Sequence, residues 1–123
     1  MHEYQKNGLQ IVIHDESQST VIVVYRGESC DPSTQFLDEV TERVLELVGT
    51  RAIEIDFRRL EYINSISMAP LLSLFKRLSI RGLDGTVYYT VEVSWQRVGL
   101  NNMRRAIQTL TGLRFIDRPL EGK

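Results

Sequence analysis

The hydrophobic pattern of this chain switches repeatedly between a period of two residues and a period of 3.6, and that switching restricts the fold to alternating strands and helices. Leu9, Ile11 and Ile13 alternate with polar neighbours, the signature of a half-buried strand, and Thr20–Tyr25 is almost continuously β-branched or aromatic. The polar run Asp15–Ser19 between them predicts a turn, so the two strands form a hairpin. From Pro32 to Val48 the period lengthens. Leu37, Val40, Val44, Leu47 and Val48 share one side of a helical repeat, with Asp38, Glu39, Glu42, Arg43 and Glu46 on the other. Asp31 or Ser33 is expected to cap this helix beside Pro32, and Gly49 to end it.

The second half repeats the alternation. Ala52–Phe57 places Ile53, Ile55 and Phe57 on one strand face and Glu54 and Asp56 on the other. After a connection at residues 58–64, Met68, Leu71, Leu72, Phe75 and Leu78 keep helical spacing through Ile80, with Gly82 and Gly85 at the exit. Thr86–Val93 reads as a strand, Asn101–Leu110 as a helix closed by Gly112, and Leu113–Ile116 as a last short strand. Strands separated by single helices need crossover connections, which make parallel, right-handed pairs. The expected fold class is therefore α/β: a small mixed β-sheet with an N-terminal antiparallel hairpin, the remaining strands parallel, and three helices. Residues 1–123 are expected to form a single domain.

A chain of this size needs no disulfide or metal to hold its core. Cys30 is the one cysteine, and with only His2 and His14 beside it the chain is too poor in ligands for a tetrahedral zinc site, so neither metal nor cofactor is expected. Glu28 and Asp31 flank Cys30 and disfavour its thiolate, which makes it a structural cysteine rather than a nucleophile. The net charge of −1 conceals an asymmetry. Residues 1–50 carry three basic and nine acidic side chains, residues 51–123 twelve and seven, giving −6 and +5. A dipolar chain suits protein partners or head-to-tail association. Nucleic acid is not an expected partner, because the pI is near 6.1 and no aromatic residues interleave with the basic ones. No apolar run reaches the ~18–20 residues of a membrane span, and Met1-His2-Glu3-Tyr4 does not open a signal peptide, so a cytoplasmic location without membrane insertion is expected.

Motifs of catalysis are missing. No glycine spacing fits a phosphate loop, no serine lies in a Gly-x-Ser-x-Gly elbow, and the expectation is a protein that is not an enzyme. Glu54 and Asp56 share a strand face, a geometry open to a cation, but alternation alone explains them as a polar face. Arg58-Arg59 and Arg104-Arg105 read as solvated surface. The informative stretch is Leu60–Ser67, beyond the carboxyl end of the central strand, where ligands and partners meet open α/β sheets. Pro70 is tolerated in a first helical turn but not deeper, so Ser67 is the expected N-cap of the following helix. A helix start is also where a phosphoserine would be stabilised by free amides and the dipole.

These residues carry a family likeness. Ile53-Glu54-Ile55-Asp56-Phe57, then Tyr62-Ile63-Asn64-Ser65, then Met68-Ala69-Pro70-Leu71-Leu72 resemble the signature region of STAS domains, the sulfate-transporter and anti-sigma-factor-antagonist family. The order of elements resembles that family over nearly the whole chain. Ser94-Trp95-Gln96 with Leu100-Asn101-Asn102-Met103 is similar to a bacterial stand-alone subgroup. The resemblance implies a regulatory protein–protein interaction module. In such proteins a serine kinase phosphorylates the domain, a PP2C-type phosphatase reverses it, and one form binds the next protein in partner switching. The phosphoacceptor is usually the second serine of Asp-Ser-Ser-Gly. Here Asn64 replaces the aspartate, Ser65 matches the first serine, Ile66 occupies the acceptor position and Ser67 replaces the glycine. Ile66 takes no phosphate. The phosphorylation candidates are therefore Ser65 and Ser67, and the partner-binding candidates are Asn64, Ser65, Ile66, Ser67 and Met68. The implied partners are an anti-sigma-like serine kinase, a PP2C-type phosphatase, or both. Two alternatives stay open: a non-phosphorylated STAS subunit of a larger transport or signalling complex, and a small nucleotide-binding protein.

Overall fold

Chain order and spatial order coincide in the sheet of this computed structural model, which describes residues 1–106 and 112–120. Six strands, β1 (His2–Lys6), β2 (Leu9–His14), β3 (Thr20–Ser29), β4 (Ala52–Ile63), β5 (Gly85–Tyr89) and β6 (Leu113–Asp117), lie side by side as β1-β2-β3-β4-β5-β6. The β1–β2 and β2–β3 pairs are antiparallel, and β3–β4, β4–β5 and β5–β6 are parallel. The parallel strands are linked by α1 (Gln35–Val48), α2 (Ser65–Ile80) and a π-helical turn at Gln96–Leu100 that runs into α3 (Asn101–Ala106). The α/β class, the mixed sheet and the three helices agree with the sequence reading. The expected continuation of the last helix to Leu110 lies outside the described residues.

Several boundaries differ, each for a physical reason. β1 was not expected, because Tyr4 is its only strongly apolar residue and an edge strand needs little hydrophobic signal. Asn7 and Gly8 make its turn to β2 with positive φ at both, 47° and 88°. β3 runs to Ser29 and β4 to Ile63, both past the expected ends. Register shifts between Val24 and Arg26, and between Gly27 and Glu28, leave extra residues on β4, and such bulges break the alternation that marks a strand. Leu60–Ile63 is thus strand, not loop. β5 in turn stops at Tyr89, short of Val93. At α1 the N-cap is Thr34, not Asp31 or Ser33. Those two act one step earlier: Asp31 Oδ1 accepts from the Ser33 amide at 3.0 Å and Ser33 Oγ from the Gln35 amide at 3.1 Å. Gly49 ends the helix as expected, at φ 57°.

Right-handed crossovers between strands laid down in sequential order put every crossover helix on the same face of the sheet. The core lies there. Val21, Val23 and Tyr25 of β3 and Ile53, Ile55 and Phe57 of β4 meet Val40 and Val44 of α1 and Leu71, Leu74, Phe75 and Leu78 of α2, all fully or almost fully buried. Phe57 is the hub, with ring centroids 4.9 Å from Tyr25, 6.0 Å from Phe75 and 5.9 Å from Trp95. At the far end Gly27 holds φ 90° with its Cα against the Gly8 carbonyl, so the first hairpin's turn is clamped directly onto β3.

Candidate functional site

The junction of β4 and α2 is built around one side chain. Asn64 is extended at φ −82° and ψ 169°, and its Oδ1 accepts from the Ser67 amide at 3.0 Å and the Ser67 hydroxyl at 2.6 Å. Its Nδ2 donates to the Asp31 carbonyl at 2.9 Å, and its backbone amide to the Ser29 carbonyl at 2.9 Å. Asn64 is therefore the N-cap, and the expectation of Ser67 in that role is wrong. The rule about Pro70 misled because it counts only the lost bond. Pro70 is the sixth helical residue and cannot donate to the carbonyl of Ile66, but that carbonyl belongs to the exposed first turn. The four-point anchoring of Asn64 outweighs this local loss.

The five candidate residues come together at this junction but divide into two kinds. Ser67 is 2% exposed and faces inward, its hydroxyl 2.7 Å from that of Ser29. Because Ser67 spends its proton on Asn64, Ser29 is the donor in that pair. Met68 is half-buried, and its Cε lies 3.1 Å from where a Cβ on Gly99 would stand, so the π-helical segment closes over it. Ser65 and Ile66 face solvent, Ile66 at 42%. Tyr62, at the last turn of the strand and 48% exposed, joins them.

The supporting shell comes from distant sequence. Lys6 Nζ lies 2.7 Å from Asp31 Oδ2, and this hydrogen bond together with the Ser33 amide holds the Asp31 carboxyl below its ordinary range. Asp31 in turn places its carbonyl against Asn64, so β1, the β3–α1 connection and the start of α2 are tied in series. On the other flank Trp95 Nε1 donates to the Leu60 carbonyl at 2.6 Å, and the fully buried Gln96 donates to the carbonyls of Phe57 (2.6 Å) and Leu60 (3.0 Å) while accepting from the Thr90 amide at 2.8 Å. These bonds satisfy carbonyls at the bulged part of β4. Nothing in the sequence ties Ser29, Asp31 or Lys6 to this junction, since each lies more than 30 residues from it. Gln96 did carry a signal, since Ser94-Trp95-Gln96 forms part of the family resemblance.

Other sequence candidates fall elsewhere. Asp56 and Arg58 form a bidentate pair, Nε to Oδ1 at 3.0 Å and Nη2 to Oδ2 at 2.9 Å, with both side chains about 15% exposed. Arg58 is thus not solvated surface, which corrects that expectation. Burial raises the Asp56 carboxyl, but the hydrogen bonds from the Arg58 side chain and amide outweigh it and hold the group below the usual range. Arg105 is exposed, and the Arg104 side chain lies outside the described residues. Cys30 is an exposed free thiol. Among the described residues no cluster of three or more His, Cys, Asp or Glu is placed to hold a metal ion, and no helix is long and apolar enough to cross a membrane.

No family model matches the chain, and no curated protein does. Among solved structures it is similar to the crystal structure of an anti-sigma factor antagonist from Mycobacterium paratuberculosis, with 17% sequence identity and a TM-score of 0.60 over 86% of this chain and 85% of that one. At that identity the likeness shows the fold. It is an α/β, STAS-like arrangement spanning most of the chain, as the residues at 53–72 implied.

Proposed function

We propose that this chain is a regulatory protein–protein interaction module of the anti-sigma-factor-antagonist type, docking its partner at the Asn64–Met68 turn through the outward-facing Ser65 and Ile66 and the adjoining Tyr62, with the inward-facing Ser67 supporting the turn. The observation that carries this reading is the exposure of Ile66 and Tyr62 on either side of a rigidly capped turn: apolar side chains held outward on a preorganised support are what a docking surface needs. The partners the reading calls for are an anti-sigma-like serine kinase, a PP2C-type phosphatase, or both, and the cell interior is where such signalling takes place.

Of the two candidate serines, accessibility favours Ser65. A kinase must reach the hydroxyl, and Ser67 is enclosed by Asn64 and Ser29, whereas Ser65 is exposed at the first helical position. A phosphate there would lie beside the free amides of α2 and add roughly −1.5 to −2 charges to the docking surface, repelling an acidic partner and making burial against an apolar one costly through desolvation. A second reading, constitutive docking without phosphorylation, is favoured by Ile66 itself, an apolar residue at the position where the resembled motif carries its acceptor.

Mass spectrometry of protein isolated from its own cells separates the two. Phosphoserine at position 65, abolished by Ser65→Ala and retained in Ser67→Ala, supports the switch. Unphosphorylated protein under all growth conditions, with partner binding intact in both variants, contradicts it and leaves constitutive docking.

A further inference from the structure

Where β3 and β4 approach their carboxyl ends, two arginines stand side by side on the sheet face opposite the helices. Arg26 of β3 and Arg59 of β4 are register partners, and both are exposed. The residues that follow them, Gly27 and Leu60, pair on the core side with Leu60 fully buried, so the two arginines turn outward. Partners on adjacent strands stand about 4.8 Å apart, and like charges set side by side in this way repel. No acid in the same row relieves that repulsion. Beyond Arg26 the row continues through Gln10 and Gln5, both neutral.

The acids nearest in the fold do not supply the missing charge. Asp56, earlier on β4, is held by the two hydrogen bonds from the Arg58 side chain, and Arg59 is the weakest of the influences that lower its carboxyl. Glu28, the register partner of Tyr62, and Glu61, in the bulge beside it, are exposed. Among the described residues no ion pair joins Arg26 or Arg59 to any carboxylate. We propose that Arg26 and Arg59 form a carboxylate-binding pair, on which the protein that docks at the Asn64–Met68 turn places an aspartate or glutamate side chain. This rests on the docking reading above and adds the chemistry of the partner.

Position and chemistry both support the assignment. Tyr62 follows Arg59 on the same strand and face, past the bulge at Glu61, so the arginines adjoin the exposed side chains of the docking turn. A guanidinium presents parallel N–H donors that fit a carboxylate two at a time, and two neighbouring guanidiniums can share one carboxylate or take two in succession. Glu28 and Glu61 narrow the choice of anion. They flank the pair and repel a continuous polyanion such as nucleic acid, whereas a single carboxylate can approach the arginines between them. An acidic partner is also the kind that a phosphate on Ser65 would drive away, which gives the switch considered above a charge to act on.

Solution NMR of the full chain tests the pair by following the arginine Nε–Hε signals during titration with a capped tetraglutamate peptide, with circular dichroism confirming that each variant folds. Saturable shifts at Arg26 and Arg59 are expected. Arg26→Glu and Arg59→Glu should each weaken peptide binding at least about fivefold. Lys76→Glu, the same charge change on the exposed side of α2, should leave it unaltered. In cells, the adduct formed by a photo-crosslinker at position 66 should fall by a similar factor in Arg26→Glu with Arg59→Glu and persist in Lys76→Glu. Signals that stay still, binding weakened equally by Lys76→Glu, tighter binding of a thymidine oligonucleotide of equal charge, or an adduct indifferent to both arginines overturns the proposal. A wild type that gives no adduct from position 66 while its peptide shifts are intact would instead refute docking at the turn and leave the carboxylate site standing.

Discussion

At the scale of single residues, the β4–α2 junction depends on asparagine rather than aspartate at position 64. An aspartate could cap α2 equally well, but its carboxylate could not donate to the Asp31 carbonyl, as Asn64 Nδ2 does at 2.9 Å. The departure from the resembled motif is thus a structural tie between two loops. Asn64→Ala removes both the cap and the tie and takes the side-chain acceptor from the Ser67 amide and hydroxyl. It should lower stability by about 2 kcal/mol, read as a shift of the urea midpoint at unchanged slope. No shift would mean that the junction is held by packing alone. The sequence could not reveal this role, because the partners of Asn64 at Ser29 and Asp31 are brought to it by β3 and not by proximity in the chain.

Elements with strong periodicity were legible from the sequence, and those shaped by neighbours were not. The faces of α1 and the alternation of Ile53, Ile55 and Phe57 were plain because burial alone sets them. The far end of β4 was obscured by its bulges, whose freed carbonyls depend on Gln96 and Trp95. The N-terminus of α2 lies three residues before the position Pro70 suggests, because the hydrogen bonds of Asn64 offset the bond that proline cannot make. β1 carries little hydrophobic signal, and Asn7-Gly8 is the turn that joins it to β2. The attachment of that hairpin to β3 yields a sharp expectation. A Cβ on Gly27 would stand 1.9 Å from the Gly8 carbonyl oxygen, at a φ of 90° that side chains rarely adopt. Gly27→Ala should therefore destabilise the protein by at least about 3 kcal/mol, measured by chemical denaturation. A near-neutral effect would show that β1 and β2 are not clamped to β3 at that point.

For the molecule as a whole, sequential strand order is the organising fact. It gathers the helices on one side of the sheet and leaves the other side open. It also sets the β4–α2 junction near the middle of the sheet, at the carboxyl end of a parallel strand, where Lys6, Asp31, Asn64 and Gln96 brace it from four separate elements or connections. Ile66 and Tyr62 stand exposed on this braced turn, where the proposed docking would cover them. The most direct test is site-specific photo-crosslinking in the protein's own cells from position 66, with Ile80, an 80% exposed residue at the far end of the same helix, as the control position. A discrete protein adduct from position 66 and none from position 80, with the captured protein a serine kinase or PP2C-type phosphatase, is the predicted result. Equal labelling from both positions, or no adduct from position 66, would contradict a docking site at this junction.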